Sequence, residues 1–246
     1  MFFLVSHKYK FLMGWSAKCG CSAVKRWYMD AHGVDRTDLG MPLYKLVGYG
    51  KTEYTRVNWD EPWLYNEYKK YAVVRNPYSR VVSGFVNKYV IGSKLPNRGW
   101  DTFSEFLEIL SRDTEFQTVD THHFTHQFSE NYRGFNRAGF VFDRVIPLEN
   151  LATGLKSVSA CHGMDDVQVM EANKTEYGEA GQSTSIAANT RINDFDKNNI
   201  PPFQYFYNRP TTDLVRNIYA LDFKHLEELN IFYRAPGIQQ MLNPLQ

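Results

Sequence analysis

Cysteine is scarce in this chain: its 246 residues include three. Three cysteines cannot build the disulfide framework of a small secreted domain, and Cys19 and Cys21 are separated by a single glycine. No apolar run approaches the roughly 18 residues that cross a bilayer, and Met1–Val5 is too short for the apolar region of a signal peptide. We therefore expect no membrane span and a reduced compartment, the cytoplasm; the Golgi lumen would fit only if an N-terminal anchor preceded this sequence.

A large net charge is also absent, since the formal value is +1. The charge is unevenly distributed along the chain: the first 100 residues contain 16 Lys and Arg against 7 Asp and Glu, whereas the remaining residues contain 12 against 20. A basic first section is suited to an anionic ligand. Alternatively, the two sections simply neutralise each other across one domain.

The overall composition excludes disordered, collagen-like and coiled-coil chains, because 43% of the residues are hydrophobic and 22% are charged. The length favours a single domain over residues 1–246. Residues from about 163 to 210 are rich in Asn, Gln, Ser, Thr and Gly and predict a long irregular flap, longer than a routine connection.

Strand and helix patterns alternate along the chain. Lys10–Trp15 reads as a strand, followed by a small and polar loop and then a helix over Ala23–Ala31. Tyr71–Val74 reads as a buried strand, and Asn76 and Pro77 are a good cap and first residue for a helix that runs to about Val90. Further strands are predicted at Met41–Tyr49 and over Phe140–Ile146, and further helices at Phe103–Leu110, Asn150–Ala160 and Thr212–Leu229. The alternation predicts an α/β fold with a P-loop-like core, in which helices flank a central, mainly parallel sheet.

The loop after the first predicted strand, Ser16–Ser22, has the residues of an anion site. Its small residues allow backbone N–H groups to close around an oxyanion, the following helix points its positive end there, and Lys18 adds a mobile cation. A Walker A loop ends in Gly-Lys-Ser/Thr, whereas here the lysine precedes the glycine, which disfavours a kinase or an ATPase. The alternative is an ordinary strand-to-helix turn that happens to contain a lysine.

A second candidate anion site follows the strand at Tyr71–Val74. Arg75 leaves the end of this strand, and Arg80 and Ser83 lie three residues apart on one face of the next predicted helix. A guanidinium with a nearby hydroxyl suits a terminal phosphate. The alternative is that this segment merely starts a helix and that Arg80 is solvated.

Together, these two segments resemble the PAPS-dependent sulfotransferases, where PAPS is 3′-phosphoadenosine 5′-phosphosulfate. That family has a 5′-phosphosulfate loop of the type Lys-x-Gly/Ala-x-Thr/Ser and a 3′-phosphate motif Arg-x-Pro-x-x-Arg-x-x-Ser, matched here by residues 18–22 and 75–83. The chain is most similar to the carbohydrate branch that includes the chondroitin 4-O- and heparan 2-O-enzymes. Weaker similarities to this branch are found at His123–Gln127, Phe142–Leu151 and Ile218–Phe223.

The resemblance implies a donor site and a reaction. PAPS would be the donor and PAP the product, with no metal, and a sulfuryl group would pass to an acceptor hydroxyl, with a saccharide as the favoured acceptor. The implied donor residues are Lys18 at the bridging oxygen and sulfuryl group, Gly20, Cys21 and Ser22 at the 5′-phosphate, and Arg75 with Ser83 at the 3′-phosphate. This chain departs from the usual loop in having Cys21 where many members have glycine or serine.

The general base for the acceptor proton is open between two residues. His123 titrates in the useful range and lies in a segment similar to the family, whereas several heparan enzymes have their base ahead of the 3′-phosphate arginine. In that region this chain offers Glu53 and, less favourably, Asp60 or Glu61, with Lys51 nearby. A purely structural role for the histidine cluster is the third reading.

Two other classes of function remain open. One is a different nucleotide-dependent transferase that uses the same loop, and the other is a nucleotide- or polyanion-binding module without turnover. Zinc binding by Cys19, Cys21, His122 and His126 is disfavoured, because the spacings Cys-x-Cys and His-x-x-x-His without the glutamate of a zincin do not match the common zinc sites. We expect a small-molecule donor and a saccharide acceptor as partners, and no nucleic acid.

Overall fold

The computed structural model describes residues 1–34, 57–92, 99–164, 167, 169 and 187–236 of the chain. Within these ranges the strands are β1 (Phe2–Ser6), β2 (Phe11–Trp15), β3 (Lys69–Val74) and β4 (Arg144–Pro147). The α-helices in the same ranges are α1 (Cys21–Ala31), α2 (Pro77–Phe85), α3 (Phe103–Arg112), α4 (Thr121–Phe124), α5 (Glu130–Arg137), α6 (Leu151–Cys161), α7 (Arg209–Ile218) and α8 (Ala220–Glu228). Shorter elements are a π-helical stretch over Val86–Ile91 and 3-10 helices at Pro62–Tyr65, Leu148–Asn150, Ala187–Asn189, Ile192–Asp194 and Phe203–Phe206.

The strands of the described residues form one mixed sheet in the order β1-β2-β3-β4. β1 and β2 run antiparallel, with Phe2 opposite Trp15, whereas β3 is parallel to both β2 and β4. The predicted α/β class, with a mainly parallel sheet flanked by helices, is confirmed. Because β2, β3 and β4 are parallel, the residues that follow them all lie at one edge of the sheet, where open α/β sheets bind their ligands.

The sheet belongs to a first compact unit, formed by Met1–Arg75 and Gln127–Lys174. Alternating residues of each strand point to its two faces. On one face, strand side chains such as Met13 pack in a buried cluster with Trp27 of α1 and Leu155 of α6. On the other, Phe3 of β1 stacks on Phe135 of α5 with ring centroids 5.3 Å apart. Helices therefore cover both faces of the sheet.

A second compact unit is formed by Asn76–His126 and Thr175–Gln246, and its described part is helical. Its core is aromatic: Phe85 lies within 5.1–6.4 Å, between ring centroids, of Trp100, Phe103, Phe106 and Phe206. Gly84 admits α4 to this core, since a Cβ there would lie 2.8 Å from Cε1 of Phe124. The expectation of one domain over the whole chain stays a prediction.

Several predicted elements differ from the structure in their bounds. The strand predicted over Phe140–Ile146 is confined to β4, because Phe140 and Phe142 pack on Phe135 and the ladder to β3 begins only at Arg144. The helix predicted to run from Pro77 to about Val90 changes to π geometry after Phe85. The strand predicted at Met41–Tyr49 lies outside the described residues.

The C-terminal helix predicted over Thr212–Leu229 is two helices, α7 and α8. They meet at Tyr219, whose hydroxyl donates to the Phe124 carbonyl at 2.8 Å. Local apolar periodicity cannot reveal this break, because the bond that accompanies it is made to a residue far away in sequence. The predicted irregular flap falls partly outside the described residues, and the stretch that is described from residue 187 onwards contains three short 3-10 helices.

Candidate active site

The loop between β2 and α1 has the backbone conformation of an anion-binding turn. The Cys19 N–H donates to the Ser16 carbonyl at 3.1 Å, which closes a tight turn immediately after β2. Lys18 and Gly20 adopt left-handed φ values of 65° and 72°. Loops that include left-handed residues can direct successive N–H groups into one concavity, where an anion accepts from them.

Glycine is required at position 20 for two reasons. Its φ lies in the left-handed region, and a Cβ there would lie 2.7 Å from Leu148 Cδ1 and 3.0 Å from Leu151 Cδ2. The loop backbone is thus packed closely against the residues that follow β4. Gly20 also precedes the first residue of α1, and the Val24 N–H donates to its carbonyl at 3.0 Å.

The start of α1 presents positive potential towards this loop. The first N–H groups of a helix have no carbonyl acceptor within the helix, and no side chain caps this N-terminus. The first turn also contains no acidic residue that would offset the helix dipole. Cys21 and Ser22 are the first two residues of α1 and are half-buried. This end of α1 can therefore accept an anionic group.

Arg75 and Gln127 join the loop to the end of β3. Arg75 follows β3, and its Nη1 donates to the Lys18 carbonyl at 2.8 Å. The buried Gln127 amide pairs with the backbone of Arg75 in both directions, accepting from the N–H and donating to the carbonyl at 2.8 Å each. The same amide oxygen accepts from the Cys19 thiol at 3.1 Å, and the Gln127 carbonyl accepts from Ser16 Oγ at 2.9 Å.

Lys25 is a buried cation on α1 that the sequence analysis did not single out. Its side chain is 3% exposed, and its Nζ lies 3.7 Å from the ring centroid of Trp15, the last residue of β2. Burial lowers the pKa of Lys25, whereas the nearby Cys21 acts in the opposite direction. The signal available in the sequence was its position one turn after Cys21, on the helix that follows the loop.

The second half of the arginine motif lies on α2, in the second unit, and is buried. Ser83 is 4% exposed and Arg80 2%. Arg80 donates to the Thr125 carbonyl at 2.7 Å, and its Nη1 lies 3.9 Å from Oδ2 of the fully buried Asp222. The reading of Arg80 as a solvated residue is therefore wrong. Within the second unit, this arginine therefore links three parts of the chain: α2, the residues that follow α4, and α8.

His123 is held by a carboxylate that the sequence analysis missed. Its Nδ1 lies 2.8 Å from Oδ1 of Asp120, and the other oxygen of Asp120 lies 3.0 Å from Nζ of Lys88. Burial acts to raise the pKa of Asp120, but the hydrogen bonds from His123 and Lys88 outweigh it and lower that pKa to about 2. The sequence signal for the pair was the spacing of three residues between them.

The other two histidines of the cluster have different surroundings. His126 Nδ1 lies 3.7 Å from Asp222 Oδ1, and its ring contacts Phe116 and Tyr219 edge-on. His122 contacts the His123 ring edge-on, with centroids 4.9 Å apart. His126 thus belongs to the packing around Asp222, whereas His123 is the histidine paired with an independent carboxylate.

Of the other residues considered for the acceptor side, some lie within the described residues and some do not. Glu53 and Lys51 lie outside them. Asp60 and Glu61 are exposed in a local turn, where Glu61 accepts from Asn58 Nδ2 at 2.6 Å. In the described ranges no group of three or more His, Cys, Asp or Glu side chains is placed to hold a metal ion. No helix in those ranges is long and apolar enough to cross a membrane.

The predicted donor residues fall in both units. Lys18, Gly20, Cys21, Ser22 and Arg75 lie in the first unit, where hydrogen bonds connect the loop with the end of β3. Ser83 and His123 lie in the second unit.

Comparison with known protein families identifies the family of this chain. The family model described as Sulfotransferase family matches residues 2–227, which include every strand and nearly every helix described above. No significant match was found among curated proteins or among solved structures.

Proposed function

The chain belongs to the sulfotransferase family, and from this premise we propose that it transfers a sulfuryl group from PAPS to an acceptor hydroxyl, with a saccharide as the favoured acceptor. The observation that carries the proposal is the loop between β2 and α1. There a lysine, a left-handed glycine and an uncapped helix start stand together, and the arginine that leaves the neighbouring strand bonds to the lysine carbonyl.

The loop fits the 5′-phosphosulfate end of the donor. When bound, PAPS supplies an activated sulfuryl group that is joined to a 5′-phosphate through a bridging oxygen. The N–H groups of Cys21 and Ser22 lie in the first turn of α1 and are suited to donating hydrogen bonds to the phosphate, and Gly20 allows the left-handed turn that precedes them. The backbone N–H of Cys21 does not depend on its side chain, so the unusual cysteine leaves this contact possible.

We assign the 3′-phosphate to Arg75 and Ser83 on the strength of the Arg-x-Pro-x-x-Arg-x-x-Ser motif. The two arginines of that motif differ in their burial and in their partners. Arg80 is buried beside Asp222, whereas Arg75 is half-buried at the edge of the sheet where the strands end. A guanidinium has five N–H donors, so the bond from Arg75 to Lys18 is compatible with a second, anionic partner.

The transfer itself requires charge stabilisation and removal of a proton. As the S–O bond to the leaving phosphate breaks and the bond to the acceptor oxygen forms, Lys18 would offset the charge that grows on the leaving oxygen. The acceptor hydroxyl would give its proton to His123, whose pairing with Asp120 supports its choice over a structural histidine. Glu53 remains the alternative base.

Binding experiments test the donor assignment. We expect PAP to bind in calorimetry and to raise the melting temperature, and ATP at the same concentration to do neither. Arg75→Ala should weaken PAP binding about 10–100-fold, because it removes a charge-assisted contact. Arg216→Ala, at an arginine of α7 with a 54% exposed side chain, is the matched control and should bind PAP normally. Equal binding of PAP by the Arg75 variant would contradict the assignment.

Turnover separates the enzyme from a binding module. We expect sulfate from labelled PAPS to appear on a hydroxyl-bearing saccharide in a panel of acceptors, and His123→Ala to abolish this transfer while PAP affinity persists. Glu53→Gln should cause the smaller loss. A dead Glu53→Gln with an active His123→Ala would move the base to Glu53. PAP binding without transfer to any acceptor of the panel would favour a nucleotide-binding module.

A further inference from the structure

Asp120 stands at a position where aspartate usually caps a helix, but its side chain does something else. It is the N-cap residue of α4, and its backbone carbonyl accepts from the N–H groups of His123 and Phe124 at 2.9 and 3.2 Å. An N-cap carboxylate ordinarily accepts from backbone N–H groups of the first turn. No such side-chain cap is present in α4. The carboxylate is instead directed to two other side chains.

Those two side chains are a histidine and a lysine, one on each carboxylate oxygen. Oδ1 accepts from His123 Nδ1 at 2.8 Å, and Oδ2 lies 3.0 Å from Lys88 Nζ. The three side chains are 18–24% exposed, so the group is neither a fully solvated surface pair nor a sealed core contact. Lys88 lies in the π-helical stretch that follows α2, which makes the arrangement tertiary and not local.

The chemistry of a neutral imidazole gives this arrangement a consequence. One ring nitrogen carries the proton and the other carries the basic lone pair. An anionic carboxylate accepts hydrogen bonds only, so it selects the tautomer with the proton on Nδ1 and leaves the lone pair on Nε2. The carboxylate also stabilises the imidazolium that forms when Nε2 takes up a proton. The same logic makes an aspartate the orienting partner of a histidine base in hydrolases.

We propose that Asp120, itself fixed by Lys88, is the positioning residue that presents Nε2 of His123 as the proton acceptor for sulfuryl transfer. This inference rests on the proposed function, and it adds two residues to it. Asp120 acts on the orientation and basicity of His123, and Lys88 sets how strongly Asp120 does so. The charged and titratable neighbours of His123 include Asp120 on its own turn, His122 at its ring edge and Lys88 across the carboxylate.

Asp120 and Lys88 have opposite charges, so removing each charge should shift the pH–rate profile in opposite directions. A general loss of structure would not produce this pattern. Asp120→Asn removes the negative charge and offers an amide that can donate to Nδ1, which selects the wrong tautomer. We expect kcat to fall at least about 10-fold, because loss of a whole base costs about 10²–10⁴-fold. The acidic limb of the pH–rate profile should move down by about one pH unit, because the imidazolium loses its anion.

Lys88→Met removes the positive charge and keeps the carboxylate. The acidic limb should then move up, opposite to the Asp120 variant, with a smaller change in kcat. Asp113→Asn is the matched control: this aspartate accepts from the Thr118 N–H and hydroxyl in the same stretch of chain but has no contact with the His123 ring among those described. It should lower stability and leave the profile in place. PAP affinity should persist in all three variants.

The ring of His123 can also be observed without turnover. In ¹⁵N NMR spectra, the ring signals of His123 are assigned because they disappear in His123→Gln. This variant keeps a side-chain amide that can donate to Asp120, so it serves if His123→Ala does not fold. Wild-type spectra should show the Nδ1–H tautomer, and Asp120→Asn should change it. Unchanged spectra and an unchanged profile in Asp120→Asn, with His123→Gln inactive, would overturn the positioning role and keep His123 as base. An active His123→Gln would overturn both the positioning role of Asp120 and the role of His123 as base. If the wild-type protein did not bind PAP, that result would instead contradict the proposed function.

Discussion

At the scale of single residues, the candidate site depends on backbone conformations that few residue types allow. Lys18 and Gly20 both adopt a left-handed backbone conformation. This conformation is sterically unfavourable for Lys18, which has a Cβ, but not for Gly20, which has none. Gln127 fixes the loop from outside, because its amide contacts both Cys19 and the backbone of Arg75. The cation of Lys18 is thereby carried on a loop that is held by the neutral amide of Gln127 and by Arg75, which donates to the Lys18 carbonyl.

Gly20→Ala should damage both stability and donor binding. The alanine would sit in a left-handed conformation, which costs about 1–2 kcal/mol, and its Cβ would also meet Leu148 and Leu151 at 2.7 and 3.0 Å. Relief requires the loop to move, so we expect PAP affinity to fall together with the melting temperature. Thermal unfolding and calorimetry with PAP measure the two effects.

Gly33→Ala provides the matched control for that change. Gly33 follows α1 with φ of 64°, but a Cβ there would have no heavy atom within 4 Å. Its replacement should lower stability by the backbone cost alone and leave PAP binding unchanged. If both variants lost PAP binding equally, general destabilisation and not the loop geometry would explain the loss at Gly20.

Gln127→Leu should be one of the more destabilising changes in the first unit. It keeps the size of the side chain but removes the hydrogen bonds to the N–H and carbonyl of the half-buried Arg75, and the loss of each bond costs up to about 1–3 kcal/mol. PAP binding should weaken as well, because Arg75 and the loop lose their common anchor. Denaturant unfolding checks the first effect and calorimetry the second.

The exposed Gln117, which donates to Glu115, is the comparison for this variant. Gln117→Leu should change stability by no more than about 0.5 kcal/mol, as surface substitutions usually do. A Gln127→Leu protein that matched it in stability and in PAP binding would show that the amide does not anchor the loop.

At the scale of elements, a buried arginine joins separate parts of the second unit. Arg80 of α2 contacts the Thr125 carbonyl after α4 and the carboxylate of Asp222 in α8. Tyr219, between α7 and α8, bonds to the Phe124 carbonyl. The segment that carries His123 is thus held from two sides by long-range contacts, which would suit the proposed role of this histidine as a base with a fixed orientation.

The losses of stability caused by Arg80→Met and by Asp222→Leu should together exceed the loss caused by the double change. Either single change removes the opposite charge from beside a buried ion, which costs about 3–5 kcal/mol, whereas the double change removes both charges. A double-mutant cycle by denaturant unfolding should therefore give a large favourable coupling. The exposed pair Arg216–Glu227, with side chains 54% and 45% exposed, should couple by about 1 kcal/mol or less. Additive losses at Arg80 and Asp222 would contradict the structural pairing.

The elements also show what the sequence could and could not predict. The start of α2 is determined by neighbouring residues in the sequence. Asn76 Oδ1 accepts from the Tyr78 N–H at 3.0 Å, and Pro77 is the first helical residue, as predicted. β1 was not predicted as a strand, because only its pairing with β2 shows that this short apolar run belongs to the sheet.

The same division applies to the candidate site. Lys18, Gly20 and Arg75 could be selected because their motifs are contiguous, and the fold brings them to one edge of the sheet. The role of Gln127 could not, since its bonds to Arg75 span 52 residues. Asp120 was visible three residues before His123, but the arrival of Lys88 on its second oxygen is tertiary. The role of Glu53, outside the described residues, stays a prediction.

At the scale of the whole molecule, the charge asymmetry of the sequence is smaller than it first appeared. Divided by compact unit, the first contains 17 Lys and Arg against 13 Asp and Glu, and the second contains 11 against 14. The basic excess of the first 100 residues is therefore diluted when the chain folds. Attraction of the proposed anionic donor would then depend on the local arrangement of Lys18, Arg75 and the start of α1 more than on overall charge.

Acid sensitivity is a second property of the whole molecule, and Asp120 should contribute to it. Its pKa falls to about 2 in the folded protein, because hydrogen bonds from His123 and Lys88 outweigh the opposing effect of burial. A carboxyl group with a lowered folded pKa stabilises the protein above its ordinary pKa, near 3.8, and this contribution is lost as the pH falls towards about 2. Asp143 is shifted in the same direction, burial again being outweighed by its bonds to Lys69 and Lys70.

We therefore expect the stability difference between wild type and Asp120→Asn to be largest near neutral pH and to shrink between about pH 4 and pH 2. Urea unfolding at a series of pH values measures it, with Asp60→Asn in an exposed turn as the control whose difference from wild type should stay small throughout. A difference for Asp120→Asn that is the same at pH 6 and at pH 2.5 would mean that the carboxylate is not held in its charged form by His123 and Lys88. Both the acid sensitivity of the fold and the orientation of the histidine would then need another source.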